Sequence, residues 1–280
     1  MILRLFNFFH RNGLRKTLFR ILQELKDFLR SNKIKFIKRK QLYMIYDLKI
    51  CPITFNFVDH IIIAELDRLK HKYDSIVILF IPGDYKRLRL EWQPYEEKIN
   101  YDLRMNRVYN LLLPIMDLLP SIEGFHFFAD RYQAKNFLKR KKKDIVPFDY
   151  NISDYGWEKI FRFNTWDTYD QKYKEKIYNL FEVKKIHSDQ VKAYLRSINI
   201  DPDSDKIITI SVRHSPFGEL RNSQEYEWKK FADYLMSKNY KVIFINDTED
   251  DKKYIRYINY YIYNEAAINI FLRYGLYSLS

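Results

Sequence analysis

The 280-residue chain holds one cysteine, Cys51, and only six glycines. A single thiol excludes an internal disulfide and any zinc site built from cysteines, and it fits a reducing compartment such as the cytosol. The glycines, at positions 13, 83, 124, 156, 218 and 275, form neither GxGxxG nor GxxxxGK. A dinucleotide fingerprint and a Walker loop are therefore both absent, and an anion site must be built from side chains and helix ends. The histidines are scattered with no HxxxH pair, so no metal centre is expected. No segment reaches the ~18 uncharged apolar residues that span a bilayer.

Basic charge is plentiful but confined. Of the net +13, residues 1–40 carry +10 and the other 240 residues only +3. Within that arm Leu14, Leu18, Ile21, Leu22, Leu25, Phe28 and Leu29 recur at helical spacing, with Arg15, Lys16, Arg20, Lys26 and Arg30 on the other face. Such a helix can lie on an anionic leaflet, where each basic residue contributes about 1 kcal/mol, or pack on the protein's own core. Arg4, Arg11 and Arg15 interrupt the apolar run that a secretory signal needs. Tyrosine, phenylalanine, lysine, isoleucine and asparagine are abundant, as an AT-rich genome produces without selection for stacking.

Along the body, strands alternate with helices: a strand at 41–50, a helix at 55–72 with Ile62, Ile63, Leu66 and Leu69 inward, and a strand at 75–83 buried on both faces. A helix at 100–120, kinked or ended near Pro114, a short buried strand at 124–131 and a helix at 132–144 follow. Residues 145–185 are irregular; a helix at 188–200 capped by Ser188, the turn Asp201–Asp205, a strand at 206–212, a helix at 224–238 and a strand at 240–246 complete the pattern. The expectation is α/β, with two Rossmann-like domains containing parallel sheets. Its divisions are a basic amphipathic arm at 1–42, an N-terminal domain at 43–150, a helical connection at 151–200 and a C-terminal domain at 201–280. Two strands are too few for a doubly wound domain, so the last is expected to be incomplete.

The stretch IITISVRHSPFGELRNSQEYEW, residues 207–228, places Arg213 and His214 at a strand end and Arg221 in the following loop. Ligands of open parallel sheets collect at strand C-termini beside helix N-termini. Asn222-Ser223-Gln224-Glu225 has the shape of an N-cap, and Asp247 and Glu249 end the next strand. These groups can form an anion pocket; equally, the two arginines can pair with Asp247, Glu249 or Glu219 as a structural ion network. His214 near an anion can act as acid or base, or be an ordinary polar residue.

The segment ITISVRHSPFGELRNSQEYEWKKFADYLMSKNYKVIFINDTED resembles the first β-α-β unit of the C-terminal domain in GT-B type glycosyltransferases and related proteins of bacterial surface-polysaccharide clusters. The matching features are Arg213, Arg221-Asn222-Ser223, Trp228 and Asp247-Thr248-Glu249. YDLKICPITFNFVDHIIIAEL, VILFIPG and NLLLPIMDLLPS resemble the amino-terminal half of such proteins. The resemblance implies a cleft between two domains, a nucleotide-diphosphate sugar as donor, and no obligatory metal or permanent cofactor. It makes Arg213 and His214 the catalytic candidates and Arg221, Asn222, Ser223, Asp247 and Glu249 the donor-binding ones, with a base drawn from Asp59, His60 or Asp130. A glycan or lipid-linked acceptor is implied, with the arm of residues 1–40 holding the protein at the inner face of a membrane. Two other readings stand beside it: a non-catalytic α/β scaffold at the membrane, and a nucleic-acid-binding protein using the arm and Lys139–Lys143, against which the nearly balanced body argues.

Overall fold

The computed structural model describes residues 39–154, 156, 169–177, 180–247 and 260–280; residues 1–38 of the basic arm and Glu249 lie outside them. In the first half, β1 (Gln41–Asp47), α1 (Asn56–His71) and β2 (Ser75–Ile81) are followed by α2 (Gln93–Lys98), α3 (Tyr101–Arg107) and α4 (Leu113–Asp117). Next come β3 (Ile122–Phe127), α5 (Arg131–Lys141) and the two-residue β4 (Ile145–Val146). All pairings in this sheet are parallel, in the order β3-β2-β1-β4. In the second half, α6 (Gln171–Lys174) and α7 (Lys185–Ser197) precede β5 (Lys206–Ser211), α8 (Glu225–Ser237), β6 (Tyr240–Ile245), β7 (Tyr261–Ile262), α9 (Glu265–Ile268) and α10 (Ile270–Tyr277). Here the parallel order is β5-β6-β7. The architecture is thus α/β with two Rossmann-like parallel sheets.

The period of two along a strand assigns each side chain to a layer. Leu42, Met44 and Tyr46 of β1 and Ile76, Ile78 and Phe80 of β2 join Phe57, Ile61 and Ala64 of α1 in one core. Their neighbours Tyr43, Ile45, Leu79 and Ile81 pack instead against Ala134 and Leu138 of α5. The second sheet repeats this division, with Ile243 and Ile245 facing Val191 and Leu195 of α7, and Val242 and Phe244 facing Ala232 and Leu235 of α8. Each such aliphatic or aromatic side chain contributes about 1.5–3 kcal/mol by leaving water.

Residues Lys40–Ser280 form one compact unit. Helix α10 contributes to both cores: Ile270 belongs to the first-half core, against which Phe271 and Tyr274 also pack, while Leu272 and Leu276 belong to the core beneath β6. None of the helices among the described residues is long and apolar enough to cross a membrane.

Several sequence expectations need correction. The inward stripe of α1 is Phe57, Ile61, Ala64 and Leu66, whereas Ile62, Ile63 and Leu69 are only half-buried. β3 is an edge strand rather than a buried one, with Phe125 and Phe127 exposed. The chain does not break at Pro114 but widens just before it, in a π-turn at Val108–Leu112 that accommodates the missing amide hydrogen. α7 starts at Lys185 without a side-chain cap, so Ser188 lies inside its first turn. The second sheet has a third strand, β7, whose two residues are too short a signal for periodicity to reveal.

Candidate anion-binding cleft

In an open sheet ordered 3-2-1-4, the chain leaves β1 in opposite directions on its two sides, and the crevice beyond its C-terminus is where ligands collect. Side chains fill that crevice here. Asp47 is buried and accepts both terminal nitrogens of Arg131, at 2.7 and 2.9 Å, and the Tyr150 hydroxyl at 2.7 Å. The open space lies farther along, between the loops after β1 and β5.

That space is a cleft of about 610 Å³. The first half lines it with Pro52, Thr54, Phe55 and Asn56 at the start of α1, together with Arg89, Tyr95 and Arg107. The second half supplies Ser211, Val212, Arg213, Ser215, Phe217 and Arg221 after β5, Asp247 after β6, and Arg273 from α10. Among the described residues, five arginines therefore line a space to which a single carboxylate, Asp247, contributes. The N-terminus of the 16-residue α1 opens on the same space and adds the positive end of its dipole.

Each guanidinium is held differently. Arg89 is fork-paired with Glu91, and Arg107 donates to the Ile53 carbonyl at 3.3 Å and the Tyr95 hydroxyl at 3.2 Å. Arg213 turns back on its own loop, donating to Phe217 O at 2.7 Å, to Gly218 O at 3.1 Å and to Asn222 Oδ1. The Arg221 amide donates to Gly218 O at 3.0 Å, but its guanidinium forms no hydrogen bond or ion pair among the described residues and lies over Gly218. Gly218 has φ +71°, and a Cβ there would stand 2.9 Å from the Arg221 terminal nitrogen, so glycine provides both the left-handed turn and the room. Arg273 is nine-tenths buried and donates to Ala266 O at 2.9 Å and Asn246 O at 2.8 Å.

The remaining sequence candidates divide. Asn222 and Ser223 do not cap α8, whose N-cap position is Gln224 with no side-chain bond. Ser223 Oγ instead accepts the Arg213 amide at 2.8 Å, and the Asn222 side chain bonds the Ser215 amide at 3.1 Å and its carbonyl at 3.0 Å. They fix the loop's shape. Asp247 reaches the cleft and accepts the His214 amide at 2.9 Å, whereas the His214 ring is not part of the lining. Among the described residues Arg221 has no carboxylate partner: Glu219 pairs instead with Lys98 of α2 at 3.2 Å, and Glu249 lies outside them.

Among the candidate bases, His60 is buried with Nδ1 against Asn56 O at 2.9 Å, and burial pushes its pKa down to about 4. Asp130 caps α5 by accepting the Gln133 amide. Asp59, in the first turn of α1, keeps an accessible carboxyl whose pKa is raised by partial burial.

Sequence reading missed Arg89, Tyr95, Arg107, Phe217 and Arg273. Pro94 ahead of YEEK is a helix-start signal that would have revealed α2 and with it Tyr95. Arg273 stands alone in the otherwise apolar IFLRYGL, a pattern that marks a charge carried into an interior.

No protein-family model matches the chain, and no curated protein does. Among solved structures, the crystal structure of the glycosyl transferase family 9 from Veillonella parvula is similar at 12% identity and a TM-score of 0.34. The likeness covers 76% of this chain and 64% of that one, so the present chain spans less than two thirds of its neighbour's length.

Proposed function

We propose that the chain is a glycosyltransferase-like protein that binds a nucleoside-diphosphate sugar in the arginine-lined cleft and transfers the sugar to a hydroxyl of a glycan or lipid-linked acceptor. The observation that carries this reading is the imbalance of the lining, five arginines against one carboxylate, Asp247, among the described residues, where two parallel sheets present their strand ends. A diphosphate suits that imbalance, because guanidiniums form charge-assisted hydrogen bonds with phosphate oxygens.

In the transfer, the acceptor oxygen bonds the anomeric carbon as the bond from that carbon to the diphosphate oxygen breaks. The electron pair leaves with the nucleoside diphosphate, whose negative charge grows as the bond lengthens. Arg221, whose guanidinium has no competing partner among the described residues, meets that charge most directly, while the loop organised by Arg213, Asn222 and Ser223 holds Arg221 in place; interactions that strengthen in this way lower the barrier rather than only binding substrate. Asp247 is positioned to accept from ribose hydroxyls, and Glu249, two residues on, belongs to the same donor-binding proposal. The acceptor proton would pass to Asp59, which is not itself among the lining residues but lies one helical turn from the cleft-lining Asn56 and keeps an accessible carboxyl whose proton affinity partial burial raises. Phe217 and Tyr95, in edge contact at 4.8 Å, give the sugar or base an apolar wall. The arm of residues 1–40 would keep the protein beside a lipid-linked acceptor at an anionic membrane.

Thermal shift against UDP, GDP, ADP and dTDP and their sugar conjugates tests the reading. The wild-type melting temperature rises with at least one of them, and Arg221→Ala loses that rise while melting unchanged without ligand, because its side chain is exposed and meets no partner among the described residues. No rise with any of these compounds would contradict the assignment.

A further inference from the structure

Arg273 differs from the other cleft arginines in both origin and burial. It sits on α10, far along the chain from the β5 loop, and is nine-tenths buried. Two backbone carbonyls hold it, Ala266 O through Nε and Asn246 O through Nη2. Both acceptors are neutral, and the guanidinium forms no ion pair among the described residues; Nη1 donates to nothing there and the side chain lines the cleft. Asp247 and Tyr277 act on it only through space, and burial lowers its pKa from the usual arginine value. A buried cation with neutral partners on one side and an open cleft on the other is an incomplete arrangement, since such charges are normally paired. An anion completes it.

We infer that Arg273 is a binding residue for a phosphate group at the floor of the cleft, donating Nη1 to a phosphate oxygen and thereby tying occupancy of the cleft to the packing of α10 against both halves of the protein. The coupling follows from where α10 sits. Ile270 enters the first-half core and Leu272 and Leu276 the second, so a ligand that fixes Arg273 also fixes the helix spanning them. The inference deepens the proposed function and rests on it.

Inorganic pyrophosphate is the probe, titrated calorimetrically against the wild type, Arg273→Lys and Arg273→Met, with each variant's unliganded melting temperature measured alongside. One charge-assisted hydrogen bond corresponds to about tenfold or more in affinity. Arg273→Met is expected to weaken binding by at least that factor, and Arg273→Lys by several-fold, because a single ammonium nitrogen cannot occupy the separate positions from which Nε, Nη2 and Nη1 reach two carbonyls and an anion. Hydrogen exchange on the wild type provides a readout free of substitution: pyrophosphate should slow exchange of the amides of residues 270–277, and chloride at equal ionic strength should not. If the wild type binds pyrophosphate but both variants bind equally well, or α10 exchanges as before, this inference is overturned while the proposed function survives. If the wild type binds no pyrophosphate, both are overturned.

Discussion

At the scale of single residues, a side chain's chemistry depends on which bonds its neighbours leave open to it. Arg213 and Arg221 are the same residue type in the same loop, yet one spends its donors on Phe217, Gly218 and Asn222 while the other meets no partner among the described residues. Sequence could place both at the strand end but could not distinguish them, because that depends on the turn at Gly218. The apolar surroundings of Arg273 signal a buried charge, but it becomes a cleft residue only through tertiary contact. His60 yields a pH prediction. The unfolded chain binds a proton at this histidine below about pH 6.5, whereas the folded chain resists protonation until about pH 4. Its contribution is therefore intact above pH 6.5 and is lost as pH falls toward 4, by on the order of 3 kcal/mol in all. Denaturant melts at pH 7.5 and 5 should show a smaller acid-induced loss of stability in His60→Gln than in the wild type; equal losses would place the acid sensitivity elsewhere.

At the scale of elements, periodicity and punctuation revealed most of what forms. β1, β2, β5 and β6 appear where apolar runs predict them, most plainly β2, which is covered on both faces and has almost no polar position to confuse the reading, whereas β5 is exposed at Lys206 and Ser211. The less legible elements fall short of one period or depend on a partner: β4 and β7 pair through two residues each, and β3 is exposed because nothing pairs with its outer edge among the described residues. The segment Asn222–Glu225 imitates a helix cap, but the loop before it competes successfully for the same side chains. This competition is testable. Asn222→Ala removes bonds to Arg213 and to both backbone groups of Ser215, and should cost about 1–3 kcal/mol. Hydrogen exchange should accelerate in residues 213–222 and remain unchanged at the start of α8; faster exchange in α8 would mean that Asn222 caps it after all.

At the scale of the whole molecule, the cleft exists because two parallel sheets point their strand ends at one space and three features hold that space together. Phe217 meets Tyr95, Glu219 meets Lys98, and α10 joins both cores. The alternation of strands and helices made the two-sheet plan legible, but the contacts that close the cleft link residues more than a hundred positions apart and carry no local signature. The central claim is that this cleft recognises diphosphate charge. Calorimetric titration of UDP and of uridine at 50 and 200 mM salt tests it most directly. UDP should bind and weaken as salt rises, since screening acts on phosphate–guanidinium attraction, while uridine should bind far more weakly and with little salt dependence; equal affinities for the two, or a UDP affinity indifferent to salt, would contradict the account.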